Sequence, residues 1–166
     1  YYEDYAGKTM EQVFGKEVLA NAIVNQVHRL QSSVVINNGD GSYQVSDLPR
    51  EVQFSPVFAI AADDFNEDQE TEFVMGGNFS GVKPEEGRYD ANTGLVLKVQ
   101  EGQCQVVDSR TTGLAIDGEV RQLAIARSGG TKRLLIIAKN NDEPEIYIYP
   151  YDDSAASDST DLLYYH

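Results

Sequence analysis

The chain has 166 residues, 41% of them hydrophobic and 24% charged, a composition that suits one globular unit able to bury a core. Its 27 acidic and 13 basic residues give a formal net charge of -14. This charge repels phosphate backbones and anionic headgroups, and no cluster of Lys and Arg offsets it, so the sequence argues against binding to nucleic acid or to a membrane surface. No apolar run approaches the roughly 20 residues that membrane insertion as a helix requires.

Few residues are of the types that hold transition metals or form disulfides. Cys104 is the one cysteine, which excludes an intrachain disulfide and a cysteine-based zinc site. The two histidines, His28 and His166, lie far apart in sequence. The chain begins at Tyr1, and we expect it to be a piece of a longer or processed protein. Its acidic, cysteine-poor composition is compatible with an exported bacterial protein.

The first 29 residues contain a helix signal. Thr9 and Gln12 are spaced as a capping box, and the apolar residues that follow recur at intervals of three and four. These features predict a helix over about Met10 to Asn25 with a core-facing stripe, although Gly15 weakens it. We expect residues 1–29 to form an N-terminal segment with this helix.

A loose internal repeat with an offset of about sixty residues organises the rest of the chain. Each half is typical of four short antiparallel strands, the content of one propeller blade. The matching segments are 34–36 with 95–97, 58–62 with 122–126, and 73–78 with 135–140.

The predicted fold is therefore mainly β, with two tandem four-stranded antiparallel propeller-type blades (a partial β-propeller) after the N-terminal helix. Gly, Pro, Asn and Asp at close intervals indicate a loop between the blades, and short polar residues indicate an acidic tail. The predicted divisions are a first blade at 30–79, an inter-blade loop at 80–93, a second blade at 94–150, and an acidic tail and C-terminal segment at 151–166.

An acidic stretch within the first half has the spacing of a cation-binding loop. It runs from Asp64 to Glu72 between two predicted strands, with side-chain oxygens at its first, third, fifth and ninth positions and a backbone carbonyl at the seventh. The corresponding loop of the second half, 127–133, has three basic residues and no carboxylate. A solvated polar hairpin would also tolerate the acids. The candidate ligands are Asp64, Asn66, Asp68, Glu70 and Glu72.

Six short segments, in order along the chain, resemble one repeat family. They are Leu48-Pro49, Gln53 to Val57, Asp64 to Asp68, Gly76 to Phe79, Gly87 to Asp90 and Gly118 to Arg121. Together they resemble the FG-GAP/VCBS repeats found beside ASPIC/UnbV domains in large secreted bacterial proteins, over about Leu30 to Tyr149. The resemblance implies integrin-α-like propeller blades, a calcium loop at Asp64, and a parent protein that is exported, periplasmic or on the cell surface.

The chain departs from that family at three loop positions. Glycine is usual where Glu67 and Gln69 stand, and aspartate is usual where Glu72 stands. Gln69 matters most, because a left-handed backbone there costs a non-glycine residue about 1 kcal/mol. The two expectations are a loop that binds calcium, and a loop that keeps its turn through hydrogen bonds from Asp64 and Asn66 to backbone amides.

A second candidate contact region lies in the inter-blade loop. Arg88, Tyr89 and Asp90 could together form a ligand contact, and the alternative is an ion pair between Arg88 and Asp90 within the loop.

No catalytic motif with a physical rationale is present, so we expect no enzyme activity. The favoured function is a structural scaffold or a protein- or ligand-interaction module of a larger protein. The alternatives are a calcium-dependent carbohydrate-binding or adhesion module and a fragment of a secreted hydrolase. Two blades alone leave apolar faces exposed, so the expected partners are the remaining blades of the parent, a protein or carbohydrate, or a second copy in a homodimer.

Overall fold

The structure is a computed structural model that describes residues 2–100, 102–128, 132–150 and 163–165. The predicted acidic tail lies outside the described residues except for 163–165, and so do residues 129–131 of the second-half loop. The chain divides into two compact units, Tyr1–Leu30 and Gln31–His166. In the described part, no helix is long and apolar enough to cross a membrane.

The N-terminal unit begins its helical region with the predicted capping box. The Thr9 N–H donates to Gln12 Oε1 at 2.8 Å, and the Gln12 N–H donates to Thr9 Oγ1 at 3.3 Å. The prediction of one helix to Asn25 is wrong, as is that of its core-facing stripe. Gly15 takes a positive φ of 81° and ends the first helix, and neither short helix contains a buried residue. The helices are α1 (Met10–Phe14) and α2 (Lys16–Ala20).

The second unit is mainly β, as predicted, and opens with a separate hairpin. Strand β1 (Ser33–Asn37) pairs antiparallel with β2 (Tyr43–Asp47). Gly39 and Gly41 in the turn have φ values of 82° and 88°, which explains the Asn-Gly and Asp-Gly pairs there. A 3-10 turn, Arg50–Gln53, follows.

Two four-stranded antiparallel sheets follow in tandem, with the short helix α3 (Ser109–Thr112) between them. Sheet 1 has the order β3-β4-β5-β6, and sheet 2 has the order β10-β9-β8-β7. The strands of sheet 1 are β3 (Val57–Asp63), β4 (Glu72–Gly77), β5 (Leu95–Gln100) and β6 (Gln103–Val107); those of sheet 2 are β7 (Val120–Ser128), β8 (Lys132–Lys139), β9 (Glu145–Pro150) and β10 (Leu163–Tyr165).

The first four-stranded sheet begins two strands later in the chain than the first predicted blade does. Strands β1 and β2 stay apart, whereas β3 and β4 join β5 and β6. The long connection between β4 and β5 returns as a hairpin because Phe79 and Tyr89 exchange backbone hydrogen bonds of 2.8 and 3.0 Å. A four-strand repeat has the same period whichever strand is counted first, so the sequence pattern alone did not determine which strand begins each sheet.

The two sheets carry the same irregularity in their first strands. A bulge places Phe58 as an extra residue in β3 and Arg121 as an extra residue in β7. The Arg121 guanidinium lies over the Phe58 ring, 4.5 Å from its centroid. When the two bulges are aligned, Ala59 corresponds to Gln122, which differs by one residue from the alignment expected from the sequence.

The main core lies between the two sheets. Small residues of sheet 1 meet larger residues of sheet 2 there, and a second cluster on the other face of sheet 1 contains Val52, Met75 and Leu97. The core residues from the sheets are Ala59, Ala61, Val74 and Val96 with Val120, Leu123, Leu135, Ile137, Tyr147 and Tyr149.

Candidate functional site

The acidic loop connects β3 to β4 at one end of sheet 1. Glu67 and Gln69 have positive φ values of 61° and 68°, so both take the left-handed conformation at the positions where the family usually has glycine. The loop therefore keeps a glycine-type backbone without glycine, at a conformational cost of about 1 kcal/mol for each residue.

Hydrogen bonds from backbone amides to side-chain oxygens hold this conformation. Asp64 accepts from the Asp68 N–H at 3.1 Å and from the Gln69 N–H at 2.8 Å. Asn66 Oδ1 also accepts from the Asp68 N–H, at 3.0 Å. Asp68 Oδ1 accepts from the Glu70 N–H at 2.8 Å. Asn66 and Asp68 thus form two successive Asx-type turns, and Asp64 accepts from amides four and five residues ahead of it.

A lysine from the neighbouring strand provides positive charge to the loop. The Lys98 Nζ on β5 lies 2.6 Å from Asp68 Oδ2 and 2.6 Å from Glu70 Oε2. Hydrogen bonds to Asp68 and then to Glu70 raise the pKa of Lys98 above its ordinary value. Partial burial would raise the pKa of Asp68, but the hydrogen bonds from Lys98 and from the Glu70 N–H outweigh it and hold that pKa below its ordinary value.

The ninth position holds a buried carboxyl group. Glu72 is 3% exposed, and its Oε2 accepts from the Phe65 N–H at 3.0 Å. Its Oε1 has no hydrogen-bond partner among the described residues. Burial raises the pKa of Glu72, and the nearby Asp68 and Asp64 add to the rise. Phe65 fixes this end of the loop, because its ring packs on Tyr149 with 4.8 Å between centroids.

The fit of a calcium ion to this loop can be judged from these contacts. The left-handed turns and the unpartnered Glu72 Oε1 favour a cation near the predicted ligands. However, no group of three or more His, Cys, Asp or Glu among the described residues is arranged to hold a metal ion. Lys98 also already contacts two of the predicted ligand residues. The positive charge that the structure places at the carboxylates of Asp68 and Glu70 is the Lys98 ammonium group.

A cavity of about 220 Å³ lies beside the loop, between the two sheets. Its walls include Val96 and Leu135, and Thr112 contributes from the short helix. Glu72 and Lys98 are its ionisable residues.

The predicted ligand loop at Arg88, Tyr89 and Asp90 lies at a different place. The three residues are exposed and line a shallow depression of about 280 Å³ together with Asn78 and Glu119. Among the described residues, Arg88 and Asp90 form no ion pair with each other. The three residues therefore line one depression together, and this depression is separate from the acidic loop.

Sequence reasoning missed a polar network beside that depression. Asn78 is buried with a φ of 76°, and its Nδ2 donates to the carbonyl oxygens of Asn92 and Gly118 at 2.6 and 3.0 Å. Glu119 accepts from the Ser80 N–H at 2.7 Å and from Asn140 Nδ2 at 2.9 Å. These contacts tie the end of β4 to the start of β7.

Lys98 and Asp63 were also missed. Asp63 Oδ2 accepts from the Tyr149 hydroxyl at 2.6 Å, and Asp63 forms an ion pair with Arg133, so the end of β3 is bound to sheet 2. Lys98 is 30 residues from Asp68 in sequence. Only the pairing of β4 with β5 shows that it lies opposite Glu72, and that register is not evident from the sequence.

The chain matches no protein-family model, no curated protein and no solved structure. Functional inference therefore depends on the geometry described above.

Proposed function

We propose that this chain is a non-catalytic, β-propeller-type repeat module of a larger exported, periplasmic or cell-surface protein, where it acts as a structural scaffold or as a protein- or ligand-interaction module. The location follows from the family resemblance. One observation supports the repeat architecture: the core-facing side of sheet 1 is equivalent to the outer side of sheet 2.

The face of sheet 1 that packs into the core corresponds to the face of sheet 2 that points away from the core. The bulges and strand registers equate Val74 with Ile136 and Val96 with Ile146. Val74 is 2% exposed and Val96 5% exposed in the core between the sheets, whereas Ile146 is 38% exposed. Repeat proteins bury such faces by stacking the next unit on them.

The outer face of sheet 2 is apolar over three strands. Ala124 pairs with Ile136, and Ile136 pairs with Ile146; Leu134 pairs with Ile148 in the adjacent row. Contiguous apolar surface of this kind marks an interaction site in soluble proteins. A further sheet of the parent chain would cover it in the way that sheet 2 covers sheet 1.

The experiment is to follow the mass of the full chain with concentration by light scattering, for the wild type and for Ile146→Lys. Wild-type protein is expected to associate through the apolar face, and Ile146→Lys is expected to weaken association with little change in melting temperature, because the side chain is partly exposed. A chain that stays monomeric and binds no apolar dye would contradict the proposal. So would turnover of esters or glycosides.

A calcium-dependent carbohydrate-binding or adhesion module is the second candidate. It is favoured by the left-handed residues Glu67 and Gln69 and by the unpartnered oxygen of Glu72. It requires calcium to bind the wild-type loop, and the contacts of Lys98 weigh against that.

A further inference from the structure

We propose that Lys98 is the cation of the acidic loop: its ammonium group takes the role that a bound metal ion would have, so the loop is stable without metal, and loss of the ammonium exposes a divalent-cation site. This inference rests on the contacts of Lys98 and is independent of the proposed function.

The loop needs a nearby positive charge. Five carboxyl groups lie within nine residues, those of Asp64, Glu67, Asp68, Glu70 and Glu72. Asp68 Oδ2 and Glu70 Oε2 both lie 2.6 Å from the same atom, the Lys98 Nζ, so the carboxylates of these two residues are close enough to repel one another. Backbone amides satisfy hydrogen bonds but carry no net charge, so they leave that repulsion in place.

Lys98 provides this charge from a fixed position. Its side chain is 18% exposed, and the Nζ lies 2.6 Å from oxygens of two different loop residues, Asp68 and Glu70. The ammonium thus closes the loop by joining its fifth and seventh positions. Both contacts are charge-assisted and short, which makes them strong for hydrogen bonds.

Sheet 2 provides a comparison within the same molecule. Glu72 and Lys98 form a cross-strand pair, and the residues in the equivalent places of sheet 2 are Leu134 and Ile148. The fold therefore accepts an apolar pair there. The charged pair occurs in the sheet that carries the acidic loop, which links Lys98 to the loop rather than to the sheet.

Removal of the ammonium would leave oxygens suited to a hard cation. Glu70 Oε2 would lose the ammonium, and Asp68 Oδ2 would keep only the hydrogen bond from Asn66 Nδ2 at 3.0 Å. Glu72 Oε1 already has no hydrogen-bond partner among the described residues. Calcium takes six to eight oxygen ligands in flexible geometry, and backbone carbonyls and water can complete such a set.

The test compares the wild type with Lys98→Met, which keeps the side-chain length and removes the charge, in chelator and in calcium chloride. Wild-type melting temperature is expected to be the same in both. Lys98→Met is expected to melt lower in chelator and to gain about 5–10 °C when calcium exceeds its dissociation constant about 100-fold. Asp68→Ala added to Lys98→Met is expected to abolish the gain.

Lys139→Met is the matched control. Lys139 is also a buried lysine between two carboxylates, since its Nζ lies 3.2 Å from Asp142 Oδ2 and contacts Glu145. It belongs to sheet 2, away from the acidic loop, and its loss is expected to confer no response to calcium. A gain in Lys139→Met equal to that in Lys98→Met would overturn the proposal, because any lost lysine would then have the same effect. A calcium response in the wild type, or none in Lys98→Met, would also overturn it.

A wild-type measurement decides the question if Lys98→Met fails to fold. Reductive methylation followed by peptide mapping is expected to modify Lys98 much more slowly than the exposed Lys83, at a rate that calcium chloride does not change. Faster modification of Lys98 in calcium would show that the metal displaces the ammonium, and the proposal would be wrong.

Discussion

Glu119 is the residue whose surroundings give the clearest pH dependence. The Ser80 hydroxyl, Asn140 and the Ser80 N–H donate hydrogen bonds to its carboxylate, and Arg121 pairs with it. Led by the hydrogen bond from the Ser80 hydroxyl, these contacts lower the pKa of Glu119 from 4.5 to about 2. Because the native state favours the charged form, the contribution of Glu119 to stability is complete above about pH 4.5 and is lost as the pH falls toward about 2.

We expect Glu119→Gln to lower the melting temperature at pH 7, and the difference from the wild type to shrink as the pH falls from 4.5 toward 2. The charge-dependent part of the contacts is absent in the variant at every pH. Thermal unfolding followed by circular dichroism across this range measures the difference. Glu143→Gln, at an exposed position, is the control and should run parallel to the wild type. A difference that stays constant down to pH 2 would contradict this account.

At the residue scale, the sequence predicted which residues form the acidic loop but not what neutralises them. Alternate polar positions are a local pattern, so the turns made by Asp64, Asn66 and Asp68 could be predicted. Lys98 could not, because its place opposite Glu72 depends on the register of β4 with β5 across a long connection. Phe65, whose N–H donates to Glu72, packs on Tyr149 of the second sheet, and this contact is likewise non-local.

At the element scale, two glycines at the end of β4 allow close neighbours: Gly76 allows the approach of sheet 2, and Gly77 allows the approach of the segment that enters β3. A Cβ on Gly76 would lie 2.6 Å from Val120 Cγ1, and one on Gly77 would lie 1.8 Å from the Pro56 carbonyl oxygen. The χ1 angle of Val120 is restricted because the side chain is β-branched, so Val120 cannot easily change rotamer to avoid the clash. The first strand of sheet 2 therefore packs directly on the backbone of sheet 1.

We expect Gly76→Ala to destabilise the protein by about 1–3 kcal/mol through overpacking. Val120→Ala removes the methyl groups that would lie 2.6 and 3.1 Å from the added Cβ and keeps the Val120 Cβ at 2.8 Å, so it relieves part of the clash. The double variant should therefore be less destabilised than the sum of the two single variants, with a coupling of about 0.5–3 kcal/mol. Urea unfolding of the four proteins in a double-mutant cycle measures this coupling. Additive effects would show that the two residues are not in contact.

The element types were predictable where the signal is local. The capping box at Thr9 and the Asn-Gly turn at Gly39 are examples, because each is satisfied within a few residues. The grouping of strands was not, since it depends on how the connection between Phe79 and Tyr89 folds back. The expected alignment of β3 with β7 was one residue out, because the correspondence of the two strands depends on their pairing with β4 and β8, which has no local signal.

For the unit Gln31–His166 as a whole, the shared core determines how the sheets respond to damage. Leu135 of sheet 2 is 1% exposed and belongs to the same cluster as Val74 and Val96 of sheet 1. Asp63 of sheet 1 is bound to Tyr149 of sheet 2 at its edge. Neither sheet buries this face alone, so the two should unfold in one cooperative step.

We expect Leu135→Ala to cost about 2–5 kcal/mol and to lower amide-exchange protection in β4 as much as in β8, by about 30-fold or more. Native-state hydrogen exchange read by NMR gives both values in one experiment. Val45→Ala, at an exposed position of the separate hairpin, is the control and should change neither strand. If β8 lost protection while β4 kept it, the sheets would be independent units, and stacking could not be what stabilises each sheet in this chain. Equal loss would mean that a sheet gains its stability from the neighbour on its apolar face, which is the property that the proposed packing of a further sheet on the outer face of sheet 2 requires.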